Sequence, residues 1–135
     1  MTFEIVVNDI DMDEHEGHLF FSIGSYNLRA YYFAPNEFID DYVKKHSKVK
    51  VDLWLVLSDI TKICEKKREL TFKRNGPIIK GKVVSILSSR ELTVDCGIMI
   101  DIETEKLIEY IDIGNYIQCD GSLQIYFLNS EWDRV

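Results

Sequence analysis

The densest group of side chains able to do chemistry is a run of carboxylates near the start of the chain. Residues 9–16 read Asp-Ile-Asp-Met-Asp-Glu-His-Glu. Carboxylate oxygens can hold a hard cation or attract a positively charged partner. A calcium loop that begins D-x-D-x-D needs glycine at its sixth position and glutamate at its twelfth, where this chain has Glu14 and Phe20. The pattern therefore favours a solvated hairpin loop or an acidic docking surface formed by Asp9, Asp11, Asp13, Glu14 and Glu16.

Histidine and cysteine offer little support for metal binding or catalysis. His15 and His18 lack the i, i+4 helical spacing with which two imidazoles share a zinc ion, and Gly17 between them argues against a helix. The cysteines are odd in number and widely spaced, so neither a disulfide framework nor a zinc knuckle is predicted. We interpret them as small, mostly buried thiols of a reducing, cytoplasmic compartment: Cys64, Cys96 and Cys119.

Sequence motifs for nucleophilic catalysis or phosphate binding are missing as well. The chain contains no G-x-S-x-G element and no glycine loop that would cradle a phosphate. We therefore predict no enzyme activity, no metal and no cofactor. Residues 1–7 lack a basic leader followed by an apolar segment, and the apolar runs are too short to cross a bilayer, so neither a secretory signal nor a membrane partner is expected.

Charge is distributed unevenly along the 135 residues, whose net charge is −7. Residues 1–59 have 5 basic and 11 acidic side chains, residues 60–82 have 8 and 2, and residues 83–135 have 3 and 10. Such asymmetry is a clue to partners of opposite charge. The second acidic group is Asp101, Glu103, Glu105, Glu109 and Asp112. The basic stretch suited to a phosphate backbone is Lys62, Lys66, Lys67, Arg68, Lys73 and Arg74.

The elements that must position these groups are mostly strands. Polar and apolar residues alternate with period 2 on both sides of Asp120-Gly121, which indicates either a hairpin turn or, as we favour, a bulge inside one bent strand. Helical spacing predicts one short helix, with Asn36 as its candidate N-cap, and another over Glu103–Ile111. The other predicted strands are 3–7, 18–23, 26–33, 48–57, 78–87, 92–96 and 98–102.

These elements predict a single mainly β domain, a β-rich α+β fold with a small antiparallel barrel or sandwich and one or two short helices. The order strand, strand, strand, helix, strand occurs in 1–59 and again in 78–128, with a basic connector between them. A shift of 73 residues places Leu19 on Leu92 and Gly24 on Gly97. Convergent alternation and a true duplication both explain this order.

The second of these halves resembles an OB-fold. The resemblance lies in Gly81-Lys82-Val83-Val84, in Leu92–Gly97, in Ile113-Gly114-Asn115-Tyr116-Ile117 and in Leu123–Phe127. It implies a small barrel with a connecting helix and a nucleic-acid-binding face of aromatic and basic residues on the middle strands. The matching strands instead carry Thr93, Asp95, Met99 and Asp101, a set that disfavours phosphate.

Two functions follow from the sequence. The first is a non-enzymatic acidic protein-binding module, an immunity-type inhibitor of a basic nuclease toxin in the bacterial cytoplasm, by analogy of charge and size. Its expected partner is a basic protein, a cognate toxin, bound by the two acidic groups. The alternative is an OB-like single-stranded nucleic-acid-binding protein that uses the basic stretch. The oligomeric state is left open.

Overall fold

The computed structural model describes residues 2–46, 48–73 and 76–128. Within them the chain is mainly β, with one short helical segment and small barrel-like rings of strands, and the predicted fold class is confirmed. The strands are β1 (Thr2–Asp13), β2 (Glu16–Ile23), β3 (Tyr26–Phe33), β4 (Lys48–Ile63), β5 (Glu69–Lys73), β6 (Gly76–Ser88), β7 (Glu91–Asp95), β8 (Met99–Thr104) and β9 (Tyr116–Phe127).

Alternation of apolar and polar residues produces these strands, because successive side chains point to opposite faces of a sheet. In β4, Val49, Val51 and Leu53 are buried, whereas Lys48 and Lys50 are exposed. The buried faces form the cores of two compact units. We call Thr2–Leu53 with residues 124–128 the N-terminal unit, and Trp54–Leu123 the central unit.

Five strand segments close into a ring in the N-terminal unit. β1 pairs with β2 and β2 with β3, both antiparallel; β3 pairs in parallel with the end of β9, and β1 pairs with the start of β4. β9 and β4 are neighbours, and the Leu128 N–H donates to the Lys50 carbonyl at 3.1 Å. The ring encloses large buried side chains that include Ile5, Phe21 and Tyr32.

The central unit repeats this connectivity with different strands. β6 pairs with β7, β7 with β8 and β6 with β9, all antiparallel, while β8 pairs in parallel with the second part of β4. β5 is added outside the ring, on β6. Gly121 of β9 lies so close to β4 that a Cβ there would be 2.6 Å from the Val56 carbonyl oxygen. A glycine within a strand often marks such a close backbone approach.

The repeated connectivity bears on two resemblances seen in the sequence, one between the two halves of the chain and one to the OB-fold. Leu19 and Leu92 are buried in the second strand of their rings, and Gly24 and Gly97 both adopt positive φ in the turn that follows. A small five-stranded ring is compatible with an OB-like fold. The basic connector between 1–59 and 78–128 contains the end of β4, β5 and the first residues of β6. Duplication itself stays a prediction.

One predicted helix is present and the other is wrong. A helical turn, α1 (Asn36–Phe38), continues as a π-helical turn (Ile39–Val43), and together they bury Phe38, Ile39 and Val43. β8 instead runs into the second predicted helix as far as Thr104, and the residues after it form turns. There the Ile108 N–H donates to the Ser89 carbonyl at 3.0 Å, which ties this segment to the β6–β7 hairpin, and the Ile111 N–H donates to the Ile108 carbonyl at 3.0 Å in a single turn.

Strand β9 settles the interpretation of Asp120-Gly121. It runs without interruption from Tyr116 to Phe127, so the segment is one strand and contains no hairpin turn. Residues 116–120 pair with β6, and residues 124 and 125 pair with β3.

Candidate functional site

The first acidic group lies on the outer surface of β1, β2 and β3, with Glu14 in the turn between β1 and β2, and we call this surface the acidic hairpin face. Residues paired in register share one face of a sheet. Asp11, His18 and Tyr31 form one row across the three strands. The two flanking rows are Asp13, Glu16 and Phe33 on one side, and Asp9, Phe20 and Arg29 on the other.

Aromatic side chains accompany the carboxylates on this face. The rings of His18 and Tyr31 are 4.2 Å apart between centroids and meet edge to face, and those of Tyr31 and Phe33 are 5.9 Å apart and stacked. Phe33 is 59% exposed. The next strand adds Tyr126, 46% exposed, because Tyr31 pairs with Gln124 and Tyr126 lies two residues further on. Exposed aromatic groups of this kind mark interaction surfaces.

The carboxylates of the acidic hairpin face have no ion-pair partner within the part of the chain that the structure describes. In the ranges that the structure describes, none of Asp9, Asp11, Asp13, Glu14 and Glu16 forms an ion pair, and all five are exposed. Asp13 lies directly opposite Glu16. Like charges in that position destabilise a pair of strands. The fold therefore retains a local repulsion that a positively charged partner would relieve.

Several contacts hold the tip of the β1–β2 hairpin in place. The Ala34 N–H donates to the His15 carbonyl at 2.9 Å. The amide nitrogen of Asn36, in the orientation that satisfies its neighbours, donates to the carbonyl oxygens of Asp13 and Glu14, each 3.1 Å away. Asn36 was predicted to cap the helix, but Pro35 holds that position. The side chain of Asn36 instead fixes the acidic tip against the start of α1.

Beneath the acidic hairpin face, Gly17 and Tyr32 are in close contact. A Cβ on Gly17 would lie 2.7 Å from the Tyr32 hydroxyl oxygen and would also meet the Asp11 carbonyl oxygen. The Tyr32 hydroxyl is buried and has no hydrogen-bond partner among the described residues. Burial, together with the negative charges of Asp11 and Asp40, raises the pKa of Tyr32. A small residue at position 17 is thus what allows β2 to pass over this ring.

The second acidic group lies in the central unit and does not form a single surface. Asp101 is only 7% exposed, and its carboxylate accepts a hydrogen bond from the Thr93 hydroxyl at 2.7 Å. The Asp101 carboxylate is therefore nearly inaccessible to a partner, which argues against its predicted role as a partner contact. The other four acids are exposed and stand among exposed apolar side chains of the same segment, Leu107, Tyr110 and Ile113: Glu103, Glu105, Glu109 and Asp112.

The basic stretch is partly neutralised by the protein's own carboxylates. The Lys67 ammonium lies 2.9 Å from Glu69, whose hydrogen bond and charge raise the pKa of Lys67. The Arg68 Nε donates to Asp95 Oδ2 at 3.1 Å, and its guanidinium carbon lies 5.9 Å from the Tyr116 ring centroid. Lys62 and Lys66 are exposed. Arg74 and the side chain of Lys73 lie outside the described residues.

The thiols and the histidines add no reactive centre to the described ranges. Cys96 and Cys119 are buried as predicted, whereas Cys64 is exposed. Burial raises the pKa of Cys96 to about 11 and raises the pKa of Cys119 further, which keeps both protonated near neutral pH. His46 Nδ1 lies 2.6 Å from the Tyr42 carbonyl oxygen. Among the described residues, no three His, Cys, Asp or Glu side chains converge on a point where a metal could bind.

Two shallow grooves accompany these surfaces. One, of about 410 Å³, lies between the bulge of β1 and the end of the helical segment. The other, of about 450 Å³, is lined largely by polar groups of the central unit. The lining residues are Val7, Asn8, Asp9, Ile10, Val43, Lys44 and His46 for the first, and Asp59, Ile60, Thr61, Lys106, Gln118 and Asp120 for the second.

The aromatic half of the acidic hairpin face was missed by sequence reasoning. The available signal was that His18 and Phe20, like Tyr31 and Phe33, alternate with buried residues in their strands and so point outward. Placing them beside the carboxylates also requires the register of β1 against β2. A bulge between Val7 and Asp9 shifts that register, and sequence alternation alone does not reveal it.

Comparison with known proteins returned no match among family models, curated proteins or solved structures. In the described ranges, no helix combines the length and apolar content that a membrane span requires.

Proposed function

We propose that this chain is a non-enzymatic acidic protein-binding module, and that the acidic hairpin face binds a basic protein. The observation that carries the proposal is the combination of five exposed carboxylates, which form no ion pair among the described residues, with the half-exposed ring of Tyr31 and the exposed ring of Phe33 on the same face. Aromatic rings supply buried area and anchoring at interfaces, while unpaired charge supplies steering and specificity.

The specific form we propose is an immunity-type inhibitor of a basic nuclease toxin, acting in the cytoplasm. Nucleases are positively charged where they bind a phosphate backbone, so an acidic surface is complementary to their substrate-binding site. The net charge of −7 supports fast encounter with such a target. The two buried thiols in the central unit are compatible with a reducing compartment.

The alternative is single-stranded nucleic-acid binding by the basic stretch of the central unit. A barrel compatible with an OB-like fold and the exposed Lys62 and Lys66 favour it. The pairing of Lys67 with Glu69 and of Arg68 with Asp95 weakens it, because a phosphate would have to displace a carboxylate at each position.

A charge-reversal experiment tests the proposal. We expect the triple variant D11K/D13K/E16K to lose binding to a panel of basic nucleases by at least about 100-fold, since each desolvated charge contact contributes on the order of 1–2 kcal/mol. The triple variant E103K/E105K/E109K changes the net charge equally and should lose far less. An equal loss of affinity in the two variants would mean that overall charge explains the effect, and it would contradict the assignment of binding to the acidic hairpin face.

The alternative needs its own measurement. If the basic stretch binds single-stranded nucleic acid, the variant K66E/K67E/R68E should no longer be retained on heparin and should no longer shift a labelled single-stranded oligonucleotide. Under the proposed function, the unmodified chain shows neither property. An oligonucleotide shift that this variant removes, together with indifference to every basic nuclease, would replace the protein-binding proposal.

A further inference from the structure

We infer that the acidic hairpin face recognises arginine rather than lysine, presented as alternate side chains of an extended segment of the basic partner. The inference rests on the proposed function and adds the chemistry of the group that is bound. Its starting point is that carboxylates and rings are direct cross-strand neighbours on this face: Asp11 is paired with His18, whose ring contacts Tyr31, and Glu16 is paired with Phe33.

The two cationic side chains differ in what they need from such a surface. A guanidinium is planar and weakly hydrated, so it can stack on a ring while its N–H groups bond a carboxylate. An ammonium is a compact, strongly hydrated charge that a carboxylate and water satisfy without a ring. A face that offers only carboxylates would accept both, whereas a face that offers carboxylates beside rings favours arginine.

The central unit contains an example of each arrangement. Arg68 donates to Asp95 at 3.1 Å and lies over the Tyr116 ring at 5.9 Å. The ammonium of its neighbour Lys67 lies 2.9 Å from the Glu69 carboxylate and 4.0 Å from that of Glu65. The chain therefore already holds an arginine beside a carboxylate and a ring, with an exposed side chain. The acidic hairpin face presents the same two kinds of group, and Arg29 on that face lies outside the rows of Tyr31 and Phe33.

The spacing of the rows specifies how the arginines are arranged. The row of Asp11 and Tyr31 and the row of Asp13 and Phe33 are two residues apart in each strand, which is roughly 6.8 Å. Alternate side chains of an extended partner segment have the same separation. Asp13 and Glu16 in the second row would share one guanidinium, which removes the repulsion between them.

The test compares two labelled peptides of equal charge, one with Arg-Ser-Arg-Ser-Arg and one with Lys-Ser-Lys-Ser-Lys, by fluorescence anisotropy against the full chain. An exposed cation–π contact contributes about 2- to 5-fold in affinity, so two rings predict a preference for the arginine peptide of about fivefold or more. In Y31A and F33A that preference should fall towards one. Tyr110 is also exposed but lies in the central unit, and Y110A should leave the preference unchanged.

The outcomes separate this inference from the proposed function. Equal affinity for the two peptides, with binding of both lost in D11K/D13K/E16K, overturns arginine recognition and leaves the acidic surface in place. Binding that is unaffected by that triple variant overturns both. Failure of the arginine peptide to bind at millimolar concentration overturns the extended-segment inference. Self-association of the chain that the triple variant abolishes would assign the face to a second copy instead.

Discussion

Replacing Glu16 by lysine tests whether the acidic hairpin face keeps a repulsion at the expense of stability. Glu16 lies opposite Asp13 at the tip of the β1–β2 hairpin, and neither forms an ion pair within the described residues. Charged ends of side chains in directly opposed strand positions are roughly 6 Å apart, which gives a repulsion of about 0.7 kcal/mol in water. The E16K variant turns that repulsion into an attraction of similar size.

The expected gain in the free energy of unfolding is therefore about 1.4 kcal/mol at low salt and about 0.7 kcal/mol at physiological ionic strength, where the Debye length is about 8 Å. For a chain of 135 residues the latter corresponds to an increase in Tm of about 2–3 °C. Urea titrations in low and high salt measure the gain and its screening. Binding of a basic partner should weaken in the same variant, so stability and affinity change in opposite directions.

Glu4 provides a matched control with the opposite sign. It lies 3.6 Å from Lys48 and pairs in register with Lys50, so E4K makes the same change in net charge but creates repulsion. We expect E4K to lose stability. If E16K and E4K shift the urea midpoint in the same direction, or if the effect of E16K does not depend on salt, the cross-strand repulsion is not what limits the hairpin.

Three further predictions concern the scaffold. G121A should cost about 1–3 kcal/mol in a urea titration, because the added methyl group meets a β4 carbonyl, and an unchanged midpoint would contradict this contact. A thiol reagent should label Cys64 rapidly, and it should label Cys96 and Cys119 only on unfolding. The free energy of unfolding should also fall as pH rises from about 9 to 11, because over this range the Cys96 thiol stays protonated only in the folded chain. Labelling of three thiols in the native protein, or stability that is flat over that range, would refute the burial argument. A chain that ends at Leu123 lacks the β9 residues that pair with β3, so its N-terminal unit should lose cooperative unfolding, which circular dichroism would detect as a smaller unfolding transition.

The sequence predicted most strands because burial on one face of a strand imposes an alternation that is visible in the residues themselves. Val49, Val51 and Leu53 are an example. It failed at Glu103–Ile111, where Ile108 and Ile111 have helical spacing but their segment bonds to the β6–β7 hairpin. Local periodicity records which side chains are buried and does not record where backbone hydrogen bonds go.

The candidate site was predicted in part for a similar reason. The charges at Asp9, Asp11 and Asp13 are explicit in the sequence, and the structure places them on one exposed face. Their aromatic neighbours follow from strand register, which depends on a bulge and on pairings between residues distant in sequence. The partner-binding role of these residues stays a prediction, since it depends on a molecule outside the chain.

The division of β9 between the two units has a consequence for biosynthesis. The ring that begins at Thr2 is completed by residues 124–128, so it stays open until almost the whole described chain has been made. The strand β3 ends at Phe33 and its partner in β9 begins at residue 124, about 91 residues later, so at 5–20 residues per second the open edge of β3 stays unpaired for roughly 5–18 s. Such edges attract other chains, and a ribosome-bound chaperone that shields β3 during this interval would raise the yield of native protein.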